Sequence, residues 1–396
     1  MSRVFETALL GPLTVKNRVV RSATHEGMGD AEGAPTDDLE RMYERLAAGG
    51  VGTIVTGYVG VDRRGRATPT MRMFDDDRYV DIYRPIVARA KAHDVTIIQQ
   101  IAHGGAHAAA HLDGVELVAP SRYRIQPSGT VARELREEEI DAIIDQFVAA
   151  IVRTQAAGFD GVQIHAAHLY LLAQFLSPHV NQRQDRWGGS TENRFRIVQQ
   201  IVSRARQKVG SFPILAKFSA YTFDRNGVTE DEGVRIAELF DAAGIDALEV
   251  SCGGATDLFA TMRVPRIPVE AAFAYLRELR QMSGFQRFIM KRTFPLLVKP
   301  VRPLHNYNVG IAARIKQRVS IPVIVVGGIR ALSDMENIIR EGQADFVAMS
   351  RPLLRTPDLI RRMEEAKETE SRCIDCGHCL FRSIEHPVRC LNGKVV

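Results

Sequence analysis

Two histidines and a tyrosine lie close together in the sequence, directly behind an apolar run. The run FDGVQI at residues 159–164 is followed by His165, His168 and Tyr170. Imidazole and phenol groups exchange hydrogen bonds and protons with bound molecules, and packing alone gives no reason to cluster them. These three side chains are therefore candidates for holding a ligand and supplying a proton. The histidines could instead cap a loop or bind zinc, but no third zinc ligand lies nearby in the sequence.

A second group of residues has the composition of a phosphate site. Gly327 and Gly328 end one apolar run, and Ser350 and Arg351 follow the next. Glycines let backbone N–H groups approach an anion closely, and the arginine adds positive charge. These four residues are candidate phosphate ligands. The alternative is that the glycines only form tight turns.

Gln100 and Lys217 could bind a heterocyclic ring. The amide of Gln100 can pair with the amide edge of such a ring. Lys217 lies within the apolar run 213–219, where an ammonium group is costly to bury without a partner. Negative charge on a reduced flavin ring would satisfy it, and a structural salt bridge is the alternative.

These residues fall in or just after short apolar runs that alternate with amphipathic segments. The runs predict eight strands, at residues 17–23, 52–57, 95–101, 160–164, 213–219, 247–251, 322–328 and 345–350. Segments 136–158 and 229–244 begin with acidic residues and end at a glycine, as helices do. Strands that alternate with helices indicate a parallel sheet, and eight of them fit a closed (β/α)8 TIM barrel. A doubly wound open sheet is the alternative, but residues 21–30 lack the glycine-rich dinucleotide turn that normally follows its first strand.

The barrel predicts where the chemistry lies, because catalytic residues in this fold follow the carboxyl ends of the strands. His25 follows the first predicted strand, as the histidine pair follows the fourth. About 60 residues separate SCGGATD at the end of strand six from VSIPVIVV at strand seven, and we interpret residues 255–310 as a helical excursion, either a lid or a packing insertion. We expect the barrel to span residues 1–365 and a cysteine-rich tail to span residues 366–396.

The composition favours an enzyme over a nucleic-acid or membrane protein. The 396 residues are 45% hydrophobic and 25% charged, which is enough for a large core. Lysines and arginines are scattered beside acidic residues, so the net charge of +5 indicates a solvated surface. Residues 1–20 lack the apolar core of a signal peptide, and no run reaches the roughly 20 apolar residues of a membrane helix. We therefore expect a cytoplasmic protein that binds a small molecule, and neither nucleic acid nor membranes.

Most of the chain, about residues 5–362, resembles the old yellow enzyme family of FMN-dependent oxidoreductases. The most specific stretch is FDGVQIHAAHLYLLAQFLSPHVNQRQDRWGGSTENRFRIVQQIV at residues 159–202. Further similarity lies in LGPLTVKNRVVRSATHEGM at 10–28, IIQQIAHGG at 97–105, VIVVGGIR at 323–330 and ADFVAMSRPLLRTPDLI at 344–360.

The resemblance implies noncovalent FMN at the carboxyl-terminal mouth of the barrel, with NAD(P)H as the reductant. It assigns the following residues to the cofactor: Ser22, Ala23, His25, Gly57, Gln100, Lys217, Gly327, Gly328, Ser350 and Arg351. In this assignment Gln100 pairs with the pyrimidine ring and Lys217 faces N1. His25 occupies a position often held by cysteine or threonine, and its imidazole could donate a hydrogen bond or a proton.

The resemblance also implies a reaction. His165 and His168 match the pair that binds a substrate carbonyl or the flavin edge, and Tyr170 matches the usual proton donor. Hydride would pass from NAD(P)H through the flavin to Cβ of an α,β-unsaturated carbonyl compound. The histidines would stabilise the enolate-like charge, and Tyr170 would protonate Cα from the opposite side.

Four of the five cysteines lie in the last 24 residues, spaced C-x2-C-x2-C-x10-C: Cys373, Cys376, Cys379 and Cys390. Without a secretion signal, such clustering favours a metal site over disulfides. Three close cysteines and a distant fourth suit a 4Fe–4S cluster, whereas zinc normally prefers two pairs. The tail resembles the 4Fe–4S segment of 2,4-dienoyl-CoA reductase, trimethylamine dehydrogenase and bile-acid-type reductases. Those larger relatives continue into domains that bind FAD or ADP and NAD(P)H, which we expect this chain, ending at Val396, to lack.

Three functions remain open from the sequence. The first is an ene-reductase acting on an enone, an enoate or an enoyl thioester. The second is an amine dehydrogenase or demethylase, in which electrons leave FMN through the cluster to a separate electron-transfer protein. The third is a non-catalytic flavin electron-transfer protein, against which the histidine pair and the tyrosine argue. In each case the cluster could also be structural.

Overall fold

The eight predicted strands are confirmed and form a closed parallel barrel. The computed structural model describes residues 2–109, 112, 114–125, 128–168, 170–254, 261–297 and 300–392. The barrel strands are β1 (Val19–Arg21), β2 (Thr53–Val55), β3 (Thr96–Ala102), β4 (Gly161–Ala166), β5 (Ile214–Ser219), β6 (Ala247–Ser251), β7 (Val323–Val326) and β8 (Phe346–Met349). Each strand pairs in parallel with the next, and β8 closes on β1 with Val347 opposite Val19. The fold is therefore the predicted (β/α)8 TIM barrel.

Helices alternate with the strands, and most of them bury apolar side chains. They are α1 (Asp37–Ala48), α2 (Arg78–Lys91), α3 (Glu137–Ala156), α4 (Leu171–Leu176), α5 (Thr191–Val209), α6 (Glu230–Ala242), α7 (Val269–Tyr275), α8 (Arg277–Arg280), α9 (Gly284–Leu297), α10 (Val309–Lys316), α11 (Leu332–Arg340), α12 (Arg351–Arg355), α13 (Leu359–Glu364) and α14 (His378–Arg382). The two helices predicted from acidic starts and glycine ends are confirmed as α3 and α6. Gly158 and Gly244 follow them with φ of 86° and 84°, a conformation that glycine adopts at little cost. Among the described residues, no helix has both the length and the apolar content needed to cross a bilayer.

An apolar cluster fills the inside of the barrel. It includes Val55, Ile98 and Leu215 from three different strands, all fully buried. Leu10 and Val15, from a hairpin of strands Ala8–Leu10 and Leu13–Val15, pack into the same cluster. Because the strands are buried on both faces, their sequences read as apolar runs rather than as alternating patterns.

Several short elements were not predicted. Strands Val59–Gly60 and Arg72–Met73 extend the barrel sheet beyond β3, and Val118–Ala119, Tyr123–Arg124 and Val131–Glu134 form a separate small sheet. Single turns of 3-10 helix occur at Arg3–Phe5, Arg63–Gly65 and Gly105–His107. Runs of two to four residues carry too little periodicity for a sequence-based prediction.

The helical excursion and the cysteine tail pack against each other. Ala271, Ala272 and Tyr275 of α7 form one buried cluster with Phe381 and Leu391 of the tail. The predicted excursion contains the helices α7, α8 and α9, whereas residues 263–268 and 300–308 are not helical. Residues 255–260 and 298–299 lie outside the described residues, as do residues 393–396 of the tail.

The tail also binds the barrel. The backbone N–H of Val388 donates to the Glu26 carbonyl at 2.7 Å, and the Thr70 hydroxyl donates to the Ser383 carbonyl at 3.2 Å. A side chain at Gly27 would overlap with the backbone of Ser383 and His386, so the tail lies directly on the loop that follows β1.

Candidate active site

A cavity of about 460 Å³ lies at the carboxyl-terminal end of the barrel. The predicted site residues that line it are Ala23, His25, Gln100, His165, His168, Tyr170, Lys217, Gly328, Ser350, Arg351 and Cys379. They come from six barrel strands or the loops behind them and from the tail. Residues far apart in the sequence therefore meet in one cavity, at the end where the barrel fold predicts it.

The three residues first singled out lie side by side at this cavity. The ring centroid of His165 is 5.3 Å from that of His168 and 4.9 Å from that of Tyr170. His168 has a φ of 60°, and its backbone N–H donates to the Ser219 hydroxyl at 2.9 Å. Its Nε2 lies 2.9 Å from the Ser251 hydroxyl, which orients the ring. By contrast, Nδ1 of His165 is buried and has no hydrogen-bond partner among the described residues.

Burial keeps these imidazoles neutral. It lowers the pKa of His165 well below the ordinary value, and the neighbouring His168 and Lys217 lower it further. Burial likewise lowers the pKa of His168 to about 3 and that of His25 to about 4. At neutral pH all three rings therefore offer hydrogen bonds without a positive charge.

Tyr170 is held in its protonated form. Burial raises the pKa of Tyr170 to about 12, and a hydrogen bond from the Tyr58 hydroxyl lowers it in part. A protonated phenol that faces a cavity is able to act as a proton donor.

Tyr58 is a site residue that sequence reasoning missed. It follows β2, lines the cavity, and stacks on His25 with ring centroids 5.0 Å apart and an interplanar angle of 13°. Its ring centroid is also 5.0 Å from that of Tyr170. The rule that selected polar residues behind the strands would have found Tyr58 if it had been applied to aromatic residues as well.

The surroundings of His25 restrict its predicted roles. Its Nε2 lies 3.0 Å from the Thr68 hydroxyl and 3.5 Å from the Thr70 hydroxyl, and the ring also hydrogen-bonds to the backbone of Ser383. The imidazole is thus anchored between the loop and the tail and presents its face to Tyr58.

Lys217 has a protein partner, as the salt-bridge alternative predicts. Its Nζ lies 3.0 Å from Oε1 of Glu249 and donates to the Ser22 hydroxyl at 2.8 Å. Ser22 in turn donates to Glu249, so this serine supports Lys217 and is not part of the cavity lining. Glu249, fully buried on β6, was missed because its partners are distant in the sequence.

Gln100 belongs to the same polar network. Its Nε2 donates to Oε1 of Gln163 at 2.7 Å, and Nε2 of Gln163 donates to Glu249 at 2.9 Å. The amide nitrogen of Gln100 is thus hydrogen-bonded within the protein, while the residue still lines the cavity. The network fixes the floor of the site from β3 to β6.

Basic groups lie at the other end of the cavity, behind β7 and β8. Gly328, Ser350 and Arg351 line this end, together with Arg330, which sequence reasoning missed. Gly328 has a φ of 73°, and a side chain there would overlap with the Leu304 carbonyl, so only glycine fits. Gly327 is not part of the lining and instead packs closely against Tyr307 and Asn308.

Gly57 also lies outside the lining of the cavity. Its backbone N–H donates to Glu26 at 2.8 Å, and a side chain would overlap with that carboxylate. The glycine is therefore required by a buried acid rather than by the cavity. The family resemblance assigns Gly57 to the cofactor.

All four tail cysteines line a second, smaller cavity: Cys373, Cys376, Cys379 and Cys390. Cys379 and Arg351 line both this cavity and the large one. Burial raises the pKa of the Cys379 thiol to about 12 and also raises that of Cys373. Within the described residues, no three His, Cys, Asp or Glu side chains are close enough to hold a single metal ion.

Comparison with known proteins connects this geometry to a family. The model of the NADH:flavin oxidoreductase / NADH oxidase family matches residues 3–282 and 290–370. NADH oxidase from Thermoanaerobacter brockii is 33% identical over 396 residues, which cover 99% of this chain and 54% of that protein. The chain thus spans about half the length of this relative. 4,4'-Dithiodibutanoate disulfide reductase from Rhodococcus erythropolis is 30% identical, with 95% of this chain and 92% of that protein covered.

A solved structure shares the fold. It is that of the old yellow enzyme homologue from Zymomonas mobilis, with a TM-score of 0.75 and 22% identity. The match covers 98% of each chain. At this identity the likeness concerns the fold alone, and it agrees with the barrel described above.

Proposed function

Because the chain belongs to the NADH:flavin oxidoreductase / NADH oxidase family, we propose that it is an FMN-dependent ene-reductase. It would reduce the activated C=C bond of an α,β-unsaturated ketone or thioester with electrons from NAD(P)H. The observation that carries the proposal is the pairing of His165, whose buried Nδ1 has no partner among the described residues, with the protonated Tyr170 beside it. Together they can bind a carbonyl oxygen and deliver a proton next to it.

The residues of the large cavity fit FMN. Its volume of about 460 Å³ and the buried, unpartnered Nδ1 of His165 are consistent with a bound polar ring. Gly328, Ser350 and Arg351 would hold the phosphate, and Gln100 and Lys217 would hold the ring. FMN, when bound, supplies hydride transfer between NAD(P)H and the substrate.

His165 and His168 have different roles in this proposal. His165, which lines the cavity, would donate from its ring to the substrate oxygen, where negative charge develops during the reaction. His168 packs edge to face against it and is itself oriented by Ser251 and Ser219. A neutral donor that is already in place needs no reorganisation when the charge appears.

The same electrostatics indicate the substrate class. Neutral rings of His25, His165 and His168 offer no ion pair to a carboxylate, which would lose its hydration on entering. The charge of Lys217 is balanced by Glu249. We therefore favour neutral ketones and thioesters over enoates.

The proposal is tested by anaerobic half-reactions of the FMN-loaded protein. NAD(P)H is expected to bleach the flavin, and 2-cyclohexenone is expected to restore its colour with formation of cyclohexanone. Methylated amines added to the oxidised protein are expected to leave the spectrum unchanged. If the amine bleached the flavin and the enone did not restore its colour, the amine dehydrogenase would be favoured instead.

Replacing Glu249 by glutamine is expected to raise the midpoint potential of bound FMN. The amide keeps the size of the side chain, but the Lys217 ammonium then lacks its counter-charge and stabilises the negatively charged reduced ring. A change of 1.4 kcal/mol corresponds to about 30 mV for a two-electron couple, and we expect a rise of at least that order. Redox titration against a reference dye measures it.

Glu230→Gln is the matched control for Glu249→Gln. It makes the same change in net charge on α6, where the Glu230 side chain is 53% exposed. The control is expected to keep the wild-type potential. An unchanged or lower potential in Glu249→Gln would show that the Lys217–Glu249 pair does not act on the flavin.

We also propose that the tail cysteines hold a 4Fe–4S cluster. Four thiols line one cavity, and a cubane places each thiolate on a different iron, so the ligands need not converge on one point. Cys379 lines both cavities, so a cluster there would lie next to the flavin site.

We expect about four irons per chain after anaerobic purification, because each of the four cysteines can bind one iron. Cys390→Ser, which removes the distant ligand, is expected to lower the iron content and the visible absorbance of the cluster. Elemental analysis of both proteins decides the point. One zinc per chain without iron would show that the tail cysteines hold zinc instead of an iron–sulfur cluster.

A further inference from the structure

Asp375 is a tail residue whose carboxylate reaches the phosphate end of the large cavity. It lies between Cys373 and Cys376 and is only 5% exposed. Its φ is 53°, a conformation that aspartate tolerates better than most residues. The residue lines the large cavity together with Ser350 and Arg351.

The carboxylate binds basic groups behind β7 and β8. Oδ2 of Asp375 lies 2.5 Å from Nη1 of Arg330, and Oδ1 lies 3.4 Å from Nη2 of Arg351. Nε2 of His305 lies 3.3 Å from Oδ2. Arg330 also donates to the Ser371 carbonyl at 2.9 Å, so this arginine is held by the tail at two points.

We propose that Asp375 competes with the flavin phosphate for Arg330 and Arg351 and thereby limits the affinity of the protein for FMN. The inference rests on the proposed function, because it assigns the phosphate of FMN to this end of the cavity. Two guanidinium groups balance a phosphate dianion, but with the Asp375 carboxylate added the four groups together carry a net charge of −1. Charges within one cavity of low polarity repel each other with little screening.

The position of Asp375 also connects this competition to the cysteine cavity. The Cys373 sulfur lies 3.8 Å from Oδ1 of Asp375, and the backbone N–H of Asp375 donates to the same sulfur. The carboxylate is thus attached to the loop that carries the cysteines. Its distance from the arginines depends on how that loop is held.

The test compares FMN with riboflavin, which has the same ring but no phosphate. Asp375→Asn removes the charge at nearly constant size, and Asp375→Gly removes the side chain at a positive φ, where glycine is favoured. Both variants are purified with their flavin, the rate of flavin release on dilution is followed by fluorescence, and the emptied full-length proteins are titrated with each flavin. We expect both variants to bind FMN about tenfold more tightly, or more so, while their riboflavin affinity stays within about twofold of the wild type.

Asp231→Asn is the matched control, because its side chain is 90% exposed and the change in net charge is the same. It is expected to bind both flavins as the wild type does. If both Asp375 variants bound FMN no more tightly than the wild type while riboflavin binding stayed intact, the proposal that Asp375 competes with the phosphate would be wrong. Weaker FMN binding would mean that Asp375 orders the arginines instead. If the wild-type protein bound neither flavin, the proposed function itself would fail.

Discussion

Replacing Tyr170 by phenylalanine is expected to slow enone reduction by about 10²–10⁴-fold, the usual contribution of a positioned proton donor. The phenyl ring keeps the contacts with Tyr58 and His165, so FMN binding and reduction by NAD(P)H should be retained. Stopped-flow measurement of the two half-reactions separates these effects. The loss should be confined to the half-reaction with the enone.

Tyr58→Phe is the matched control, because it removes one hydroxyl from the same cavity and keeps the stacking on His25. The Tyr58 hydroxyl lowers the pKa of Tyr170, so its removal should raise that pKa further. Tyr170 then stays protonated to higher pH, so the alkaline limb of the pH–rate profile should shift to higher pH. If Tyr170→Phe reduced the enone at the wild-type rate, another group would have to be the donor.

A second large effect is expected at Glu26, whose carboxylate lies outside the cavity and is completely enclosed. It accepts hydrogen bonds from Arg21 at 2.9 Å, from the Tyr43 hydroxyl at 2.9 Å and from the N–H of Gly57 at 2.8 Å, and it also pairs with Arg72. Glu26→Ala leaves two buried guanidinium groups without their counter-charge. We expect a loss of about 3–5 kcal/mol in the free energy of unfolding, measured by chemical denaturation.

Glu32→Ala is the control for Glu26→Ala. The Glu32 side chain is 73% exposed, and its carboxylate is 3.8 Å from the nearest nitrogens of Arg63 and Arg78. An exposed pair contributes about 0–1 kcal/mol, so this variant should be nearly as stable as the wild type. Equal losses in the free energy of unfolding would show that the buried network around Glu26 contributes no more to stability than the exposed pairs of Glu32.

The stability should also depend on pH through Glu26. Burial alone would raise the pKa of Glu26, but Arg72 and Arg21 together lower it below the ordinary value of 4.5. Its contribution is therefore complete above that value and is lost as the pH falls through the lowered pKa of the folded state. Denaturation at a series of acidic pH values should show a shallower decline for Glu26→Gln than for the wild type.

Local sequence patterns predicted the barrel and much of the cavity. Strands buried on both faces read as apolar runs, and the barrel fold places the residues behind them at one end. His165, Gln100 and Arg351 could therefore be expected at a common site without any knowledge of contacts. All three line the cavity.

The missed residues share a different property, since each acts through a partner that is far away in the sequence. Glu249 on β6 pairs with Lys217 on β5 and with Ser22 behind β1. Arg330 and Asp375 meet only because the tail returns to the barrel mouth. An acidic residue within an apolar run was a usable signal for Glu249, because a buried carboxylate requires a partner.

The packing of the tail against the barrel has a consequence for the design of variants of this enzyme. Phe381, Ile384 and Val388 form part of the wall around the large cavity, and the backbone N–H of Val388 donates to Glu26 in the loop behind β1. Cutting the polypeptide at residue 366 would therefore remove part of this wall and open the cavity to bulk water. Chimaeras that exchange the cysteine tail between homologues should include α7, because residues of α7 and of the tail form one buried apolar cluster.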